Sequence, residues 1–234
     1  SGGVSLTASL PGTTPLRISA GINTTSDGCA AYPANTFAGA INVVNKLPGC
    51  ATHPLRPGER GSLASALVAR FPECASASPE AREGGVCHRL DTFTSGAVIA
   101  ARSKEAWTTM RRLFREGWVK KTYLAVVCGE PAQDRFEVTL PLLPAPGQDR
   151  RRRMIVAETP AQVYHPEALD AQTEFVVLAR GDGVALIRAQ TESGRRHQVR
   201  AHLASVGLPI LGDELYGAPP AETLSAADLE GYFL

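Results

Sequence analysis

The chain has 234 residues, 44% hydrophobic and 20% charged, with a formal net charge of +1. That is the composition of an ordinary globular chain, long enough for one large domain or two small ones. No apolar run approaches bilayer-spanning length, and the near-neutral balance excludes a protein that holds nucleic acid through bulk positive charge alone.

The kind of positive charge says more than its amount. Of 24 basic residues, 20 are Arg and 4 are Lys, and Arg offers a planar fork for phosphate and a flat face for bases. A codon composition that favours Arg would give the same bias. Cys29, Cys50, Cys74, Cys87 and Cys128 are odd in number and dispersed, with no C-x-x-C. This argues against a disulfide framework and against a zinc site, and for a reducing intracellular compartment.

Residues 1–40 are rich in Ser, Thr, Gly and Ala, with Arg17 and Asp27 as the charges. They are expected to form an irregular or partner-dependent arm; a hydroxyl-rich, acid-poor leader is also weakly like an organellar transit segment. Residues 41–44 form a short β-rich run, and Leu47-Pro48-Gly49 turns the chain. The spacing of Leu63, Leu67 and Phe71 predicts a helix over 62–71. Residues 76–85 read as loop, and the apolar run 97–101 as a strand. A second helix is expected over 104–115, with Trp107, Met110, Leu113 and Phe114 inward and Gly117 closing it. Residues 122–127 are a strong strand. Residues 141–146 read as irregular, and 150–153 is a run of four arginines. Strands at 175–178 and 184–189 form a hairpin around Gly181-Asp182-Gly183, and a helix follows over 196–205. Strands and helices mix without βαβ alternation or internal repeats. The expectation is an α+β fold with a mixed, largely antiparallel central sheet flanked by helices, in one domain over 41–234.

Three stretches could carry chemistry. HRLDTFTSG at 88–96 places Asp91 in a loop just before a buried strand, where a rigid element fixes what the loop presents. VKKTYLAVVCGE at 119–130 sets Tyr123 between a basic pair and an aliphatic run; most strand tyrosines are packing residues. In 192–217, Arg195, Arg196, His197, Arg200 and His202 fall within eight positions. Arg196 and Arg200 share a helix face and suit phosphate, although a solvated basic face reads the same. His197 and His202 are five apart, the wrong spacing for two zinc ligands on one helix. A hydrolase built on Ser95 and His88 lacks the G-x-S-x-G context.

Together these stretches resemble the RluA group of pseudouridine synthases. Residues 88–96 match H-R-L-D-x-x-T-S-G at each specified position. Lys121-Thr122-Tyr123 meets K-x-Y before an aliphatic strand. Residues 194–203 and 207–217 match G-R-x-H-Q-[hydrophobic]-R-x-H-L followed by G-x-P-I-x-G-D-x-L-Y-G. Val43-Val44-Asn45-Lys46, with Pro54 beyond, is similar to a weaker first motif. The resemblance runs from about residue 41 to residue 217.

It implies a pseudouridine synthase-like catalytic domain that isomerises uridine in RNA. The C1′–N1 bond breaks, the detached base rotates, and C5 bonds to C1′. By carry-over, Asp91 is the essential carboxylate, Tyr123 the active-site tyrosine and Arg200 the arginine that pairs with the aspartate. Arg89 matches the position that fills the gap left by the flipped base. His88, Lys46, Lys121, Arg195, Arg196 and His197 are the further expected RNA contacts, and 150–153 with Arg111, Arg112 and Arg115 could line a phosphate track. No metal and no nucleotide or redox cofactor is implied. The implied partner is RNA, ribosomal first and transfer RNA second, with a ribosomal precursor particle as a further candidate. The expected protein is monomeric, free of membrane, and intracellular, in mitochondrion or cytoplasm.

The sequence departs from the pattern in places. The usual N-K-P-x-G is here Asn45-Lys46-Leu47-Pro48-Gly49. Arg196 stands where Thr is usual. The small basic domain often found before the catalytic one is not seen, and the usual final Leu-His-Ala strand is expected to be truncated. These departures leave open a second class of function: an RNA-binding ribosome-assembly factor that keeps the fold without, or beside, catalysis.

Overall fold

The computed structural model describes residues 4–8, 16–19, 41–54, 56, 59–151 and 153–219. The expectations for Arg152, for most of residues 1–40 and for the C-terminal strand lie outside the described residues. The chain divides into two compact units, Ser1–Lys121 and Thr122–Leu234. The boundary falls inside a strand, where composition gives no sign of it.

In the first unit, β1 (Val4–Ala8) and β2 (Leu16–Ser19) pair antiparallel, with Ser5 opposite Ser19 and Ala8 opposite Leu16. Part of the segment expected to be irregular is therefore a hairpin. The core strands are β3 (Ile41–Lys46) and β4 (Gly96–Ala101), antiparallel from Ile41↔Ala101 to Lys46↔Gly96. Every β4 residue is buried, as an unbroken apolar run requires. This register puts the loop that leaves β3 and the loop that enters β4 at the same end of the pair.

Three helices surround the strand pair in sequence. In α1 (Leu63–Arg70), the Ser62 hydroxyl accepts from Ser65 N, satisfying one of the orphan amides of the first turn. The short α2 (Cys74–Ala77) occupies a stretch expected to start a loop. In α3 (Lys104–Arg115), Ser103 Oγ accepts from Ala106 N at 3.2 Å. Trp107, Met110, Leu113 and Phe114 share its half-buried face, so the expected inward stripe is present on a helix that remains largely at the surface. Gly84 and Gly85 lie at positive φ, and a Cβ on Gly85 would meet Ala101 O at 2.2 Å; only glycine fits there.

β5 (Val119–Cys128) carries the chain into the second unit. There it is followed by β6 (Arg135–Val138), β7 (Leu142–Pro144), β8 (Met154–Val156), α4 (Pro160–Val163), β9 (Thr173–Gly181), β10 (Val184–Thr191) and α5 (Gln198–Ser205). The ladder runs β5-β10-β9-β6, and β7 and β8 form a separate pair. The β9–β10 turn has Asp182 at φ 52° and Gly183 at φ 75°, the two positive values that a tight two-residue hairpin needs. Ala125, Val127, Phe175, Ala185, Ile187 and Leu203 belong to one buried apolar cluster of this unit.

The architecture is α+β, with antiparallel sheets and few helices. Among the described residues Cys74, Cys87 and Cys128 are free thiols. Among the described residues no helix is long and apolar enough to cross a membrane.

Candidate active site

The aspartate loop of the first unit is held from two sides. On its own strand, Ile99 N donates to His88 Nε2 at 3.0 Å, and Cys87 N donates to Ile99 O at 2.8 Å. His88 Nε2 is thus an acceptor, which leaves the ring proton on Nδ1. Burial, aided by the positive charges of Lys121 and Arg111, pushes His88 down to about 3, so it is a neutral structural imidazole at ordinary pH. Its ring lies 4.7 Å from that of Phe114.

From the other side, the loop after β3 reaches across. Thr52 Oγ1 donates to Leu90 O at 2.7 Å and accepts from Leu90 N at 3.2 Å. Gly49 N donates to Thr92 O at 2.9 Å. Lys46, fully buried, turns its ammonium onto Leu47 O (3.0 Å), Cys50 O (2.7 Å) and Thr92 O (2.9 Å). An ammonium has three hydrogens, and each has a carbonyl. Burial lowers Lys46 to about 8, while the Asp91 carboxylate acts in the opposite direction.

This arrangement explains the weak first motif. Asn45-Lys46-Leu47-Pro48-Gly49 is a brace for the aspartate loop. Gly49, at φ 81°, supplies the amide that Thr92 O accepts. Pro48 has no amide to give, so its displaced position leaves the brace intact.

The backbone of 89–93 then alternates. Arg89 is exposed, Leu90 is buried, Asp91 is half-buried, and Thr92 and Phe93 are exposed. Leu90 anchors the loop in the core, and Asp91 lies at the edge of solvent.

In the second unit, Tyr123 is half-buried on β5 and packs against the apolar cluster of Val127, Phe175 and Leu203. The start of α5 is built around Gln198. Its Oε1 accepts from Ser193 Oγ at 2.8 Å and Arg195 N at 2.7 Å. Its Nε2 donates to Gln172 O at 2.9 Å, Thr173 Oγ1 at 3.0 Å and Thr191 Oγ1 at 2.7 Å. His202 is fully buried, with Nδ1 2.9 Å from Thr173 Oγ1 and Nε2 3.0 Å from Leu140 O. A carbonyl can only accept, so Nε2 carries the proton. Both nitrogens are engaged, which removes His202 as a metal ligand.

Arg200 is clamped. Nε donates to Asp213 Oδ2 at 2.6 Å and Nη2 to Asp213 Oδ1 at 2.9 Å. The guanidinium carbon lies 4.9 Å from the Tyr216 ring centroid. Tyr216 is itself fixed: its hydroxyl donates to Met154 O at 3.1 Å, accepts from Met154 N at 3.0 Å, and lies 3.0 Å from His197 Nδ1. With the hydroxyl proton on Met154, His197 Nδ1 is the donor. The expectation pairs Arg200 with Asp91; within its own unit its bidentate partner is Asp213. Asp213 and Tyr216 both lie in the G-D-x-L-Y-G segment, but sequence reasoning gave neither a role.

The expected RNA contacts divide in two. Arg89, Arg195 and Arg196 are exposed and His197 is half-buried. Arg195 Nε donates to Asp170 O at 3.1 Å and Arg196 Nη2 to Arg153 O at 3.2 Å. Lys46, His88 and Lys121 are buried. Lys46 has its hydrogens on carbonyls, His88 holds a strand amide, and the Lys121 ammonium lies 5.1 Å from the Phe114 ring. Arg111, from the suggested phosphate track, donates to Cys87 O at 3.0 Å.

The family model for RNA pseudouridylate synthases matches residues 40–205. The chain belongs to the RNA pseudouridylate synthase family. The β3 brace, the aspartate loop, Tyr123 and α5 fall within that match, and Asp213 and Tyr216 lie beyond its end. The dual-specificity RNA pseudouridine synthase RluA of Yersinia pestis is 35% identical over 188 residues, which is 80% of this chain and 82% of that protein. An uncharacterized RNA pseudouridine synthase of Chloroflexus aurantiacus is 35% identical over 173 residues, 74% of this chain but 51% of that protein. The chain therefore spans most of the first relative and about half of the second. Among solved structures, human RNA pseudouridylate synthase domain containing 1 superposes with a TM-score of 0.63 at 26% identity, covering 85% of this chain and 73% of that one. As a pseudouridylate synthase the chain falls in a class of isomerases, with RNA as the substrate polymer.

Proposed function

We propose that this synthase isomerises uridine to pseudouridine in structured RNA, with ribosomal RNA the first class to test, and that Asp91 is its essential carboxylate. The observation that carries the proposal is the aspartate loop. One half-buried carboxylate stands on a backbone pinned by Lys46, Gly49 and Thr52, beside an exposed arginine.

Breaking a nucleosidic bond builds positive charge on the sugar. An adjacent carboxylate stabilises that charge, captures C1′, or assists proton removal from the sugar. A uridine within a helix is out of reach, so the nucleotide flips out. Arg89, exposed two residues before Asp91, stacks into the vacancy. Tyr123 offers an aromatic face to the uracil and a hydroxyl for proton transfer. Arg200, its plane set by Asp213 and Tyr216, supplies a guanidinium that offsets the carboxylate's charge.

Site-resolved pseudouridine mapping on total RNA tests this, comparing cells that carry wild-type or Asp91→Ala protein. Loss of one or a few sites in the mutant is the expected result, and it names the RNA. If deletion of the protein impairs ribosomes while no site changes, the catalytic proposal is overturned in favour of an assembly role.

A further inference from the structure

The aspartate loop holds two bulky apolar side chains, and the fold treats them oppositely. Leu90 is buried, whereas Phe93 is 81% exposed. The exposure does not come from a slack backbone. Thr92 O, one residue before, accepts from Lys46 Nζ and Gly49 N. Thr94 N, one residue after, donates to Asp91 O at 3.0 Å, and Ser95 is buried. The loop thus presents an aromatic ring to solvent from a fixed backbone, where it adds nothing to the core.

Phe93 lies two residues from Asp91, at most about 7 Å along the chain. That reach corresponds to the next nucleotide of a splayed strand when the target base is at the carboxylate. Arg89 stands two residues before Asp91 in the chain. The H-R-L-D-x-x-T-S-G pattern leaves this position unspecified, so the shared chemistry does not account for the ring.

We infer that Phe93 is the stacking platform for the unpaired nucleobase next to the target uridine. This rests on the proposed RNA reading. Unpaired bases splayed from RNA are held on aromatic faces, and such stacking tolerates any base because every base has a π-face. Phe93 therefore contributes affinity for unpaired structure beside the target more than for one sequence.

The test is fluorescence-anisotropy binding of a stem-loop RNA with an all-uridine loop to wild-type, Phe93→Ala and Phe93→Trp proteins. The exposed position makes folding of all three expected. Phe93→Ala should weaken binding about 5- to 150-fold, and Phe93→Trp should restore it. Abasic nucleotides are then placed at each loop position in turn. One position should cost the wild type a similar factor and cost Phe93→Ala almost nothing further, because ring and base form one contact. Binding by Phe93→Ala within about twofold of wild type, or losses that multiply at every position, would overturn the inference while leaving the RNA reading intact. A wild-type protein that binds neither this RNA nor total cellular RNA overturns both.

Discussion

The clamp on Arg200 yields a quantity. The perturbation is a double-mutant cycle of Arg200→Met, Asp213→Asn and the pair together. Two charge-assisted hydrogen bonds join the side chains at 2.6 and 2.9 Å. Breaking a fully buried pair from one side costs about 3–5 kcal/mol. Here the side chains remain 22% and 11% exposed, so water screens part of the attraction and relieves part of the stranded charge. The expected coupling is about 2 kcal/mol, with each single variant destabilised by about that much and the double variant little worse. Urea unfolding of the four proteins measures it. A single-turnover pseudouridine assay adds the functional half: Asp213→Asn should lower the rate about tenfold or more, because the guanidinium loses the partner that sets its plane. Stability effects that add within about 0.5 kcal/mol would refute the clamp as an energetic unit.

Two further outcomes follow from the first unit. His88 is pushed down to about 3 in the fold, whereas the unfolded chain takes up that proton near the ordinary 6.5. Its contribution to stability is therefore complete above about pH 6.5 and is lost as the pH falls toward about 3. Subtracting the urea stability of His88→Gln, which keeps an acceptor for Ile99 N, should leave a difference that falls by about 3 kcal/mol between about pH 7 and pH 4; a flat difference would place the imidazole in water. Gly85→Ala should cost about 3 kcal/mol or more, from a left-handed φ of 71° and a Cβ 2.2 Å from Ala101 O. Unfolding within about 1 kcal/mol of wild type would contradict that approach.

What the sequence revealed follows from what is local. α3 and its Ser103 cap, the β9–β10 hairpin and the buried β4 all have periodicity or turn chemistry within their own residues. β6, β7 and β8 are only three or four residues long, too short to show an alternation, and form because a partner strand is brought alongside. The same division applies at the site. Asp91, Tyr123 and Arg200 stand in dense motifs. Lys46 was expected to contact RNA because it stands in the weaker first motif. Only the tertiary approach of Thr92 O and Cys50 O turns it inward. Asp213 was overlooked because an acidic residue after glycine reads as a turn former, and its partner is thirteen residues earlier on a helix.

The brace under Asp91 has a consequence for the encounter with RNA. Fixing one residue's backbone costs about 1–2 kcal/mol of conformational entropy. A free loop over 91–94 that ordered only around a bound nucleotide would give up several kcal/mol of affinity at that moment. Lys46, Gly49 and Thr52 shift that ordering into folding itself. The nucleotide meets a carboxylate already aimed, and loosening the brace should weaken RNA binding and slow the reaction together, even in a protein that still folds.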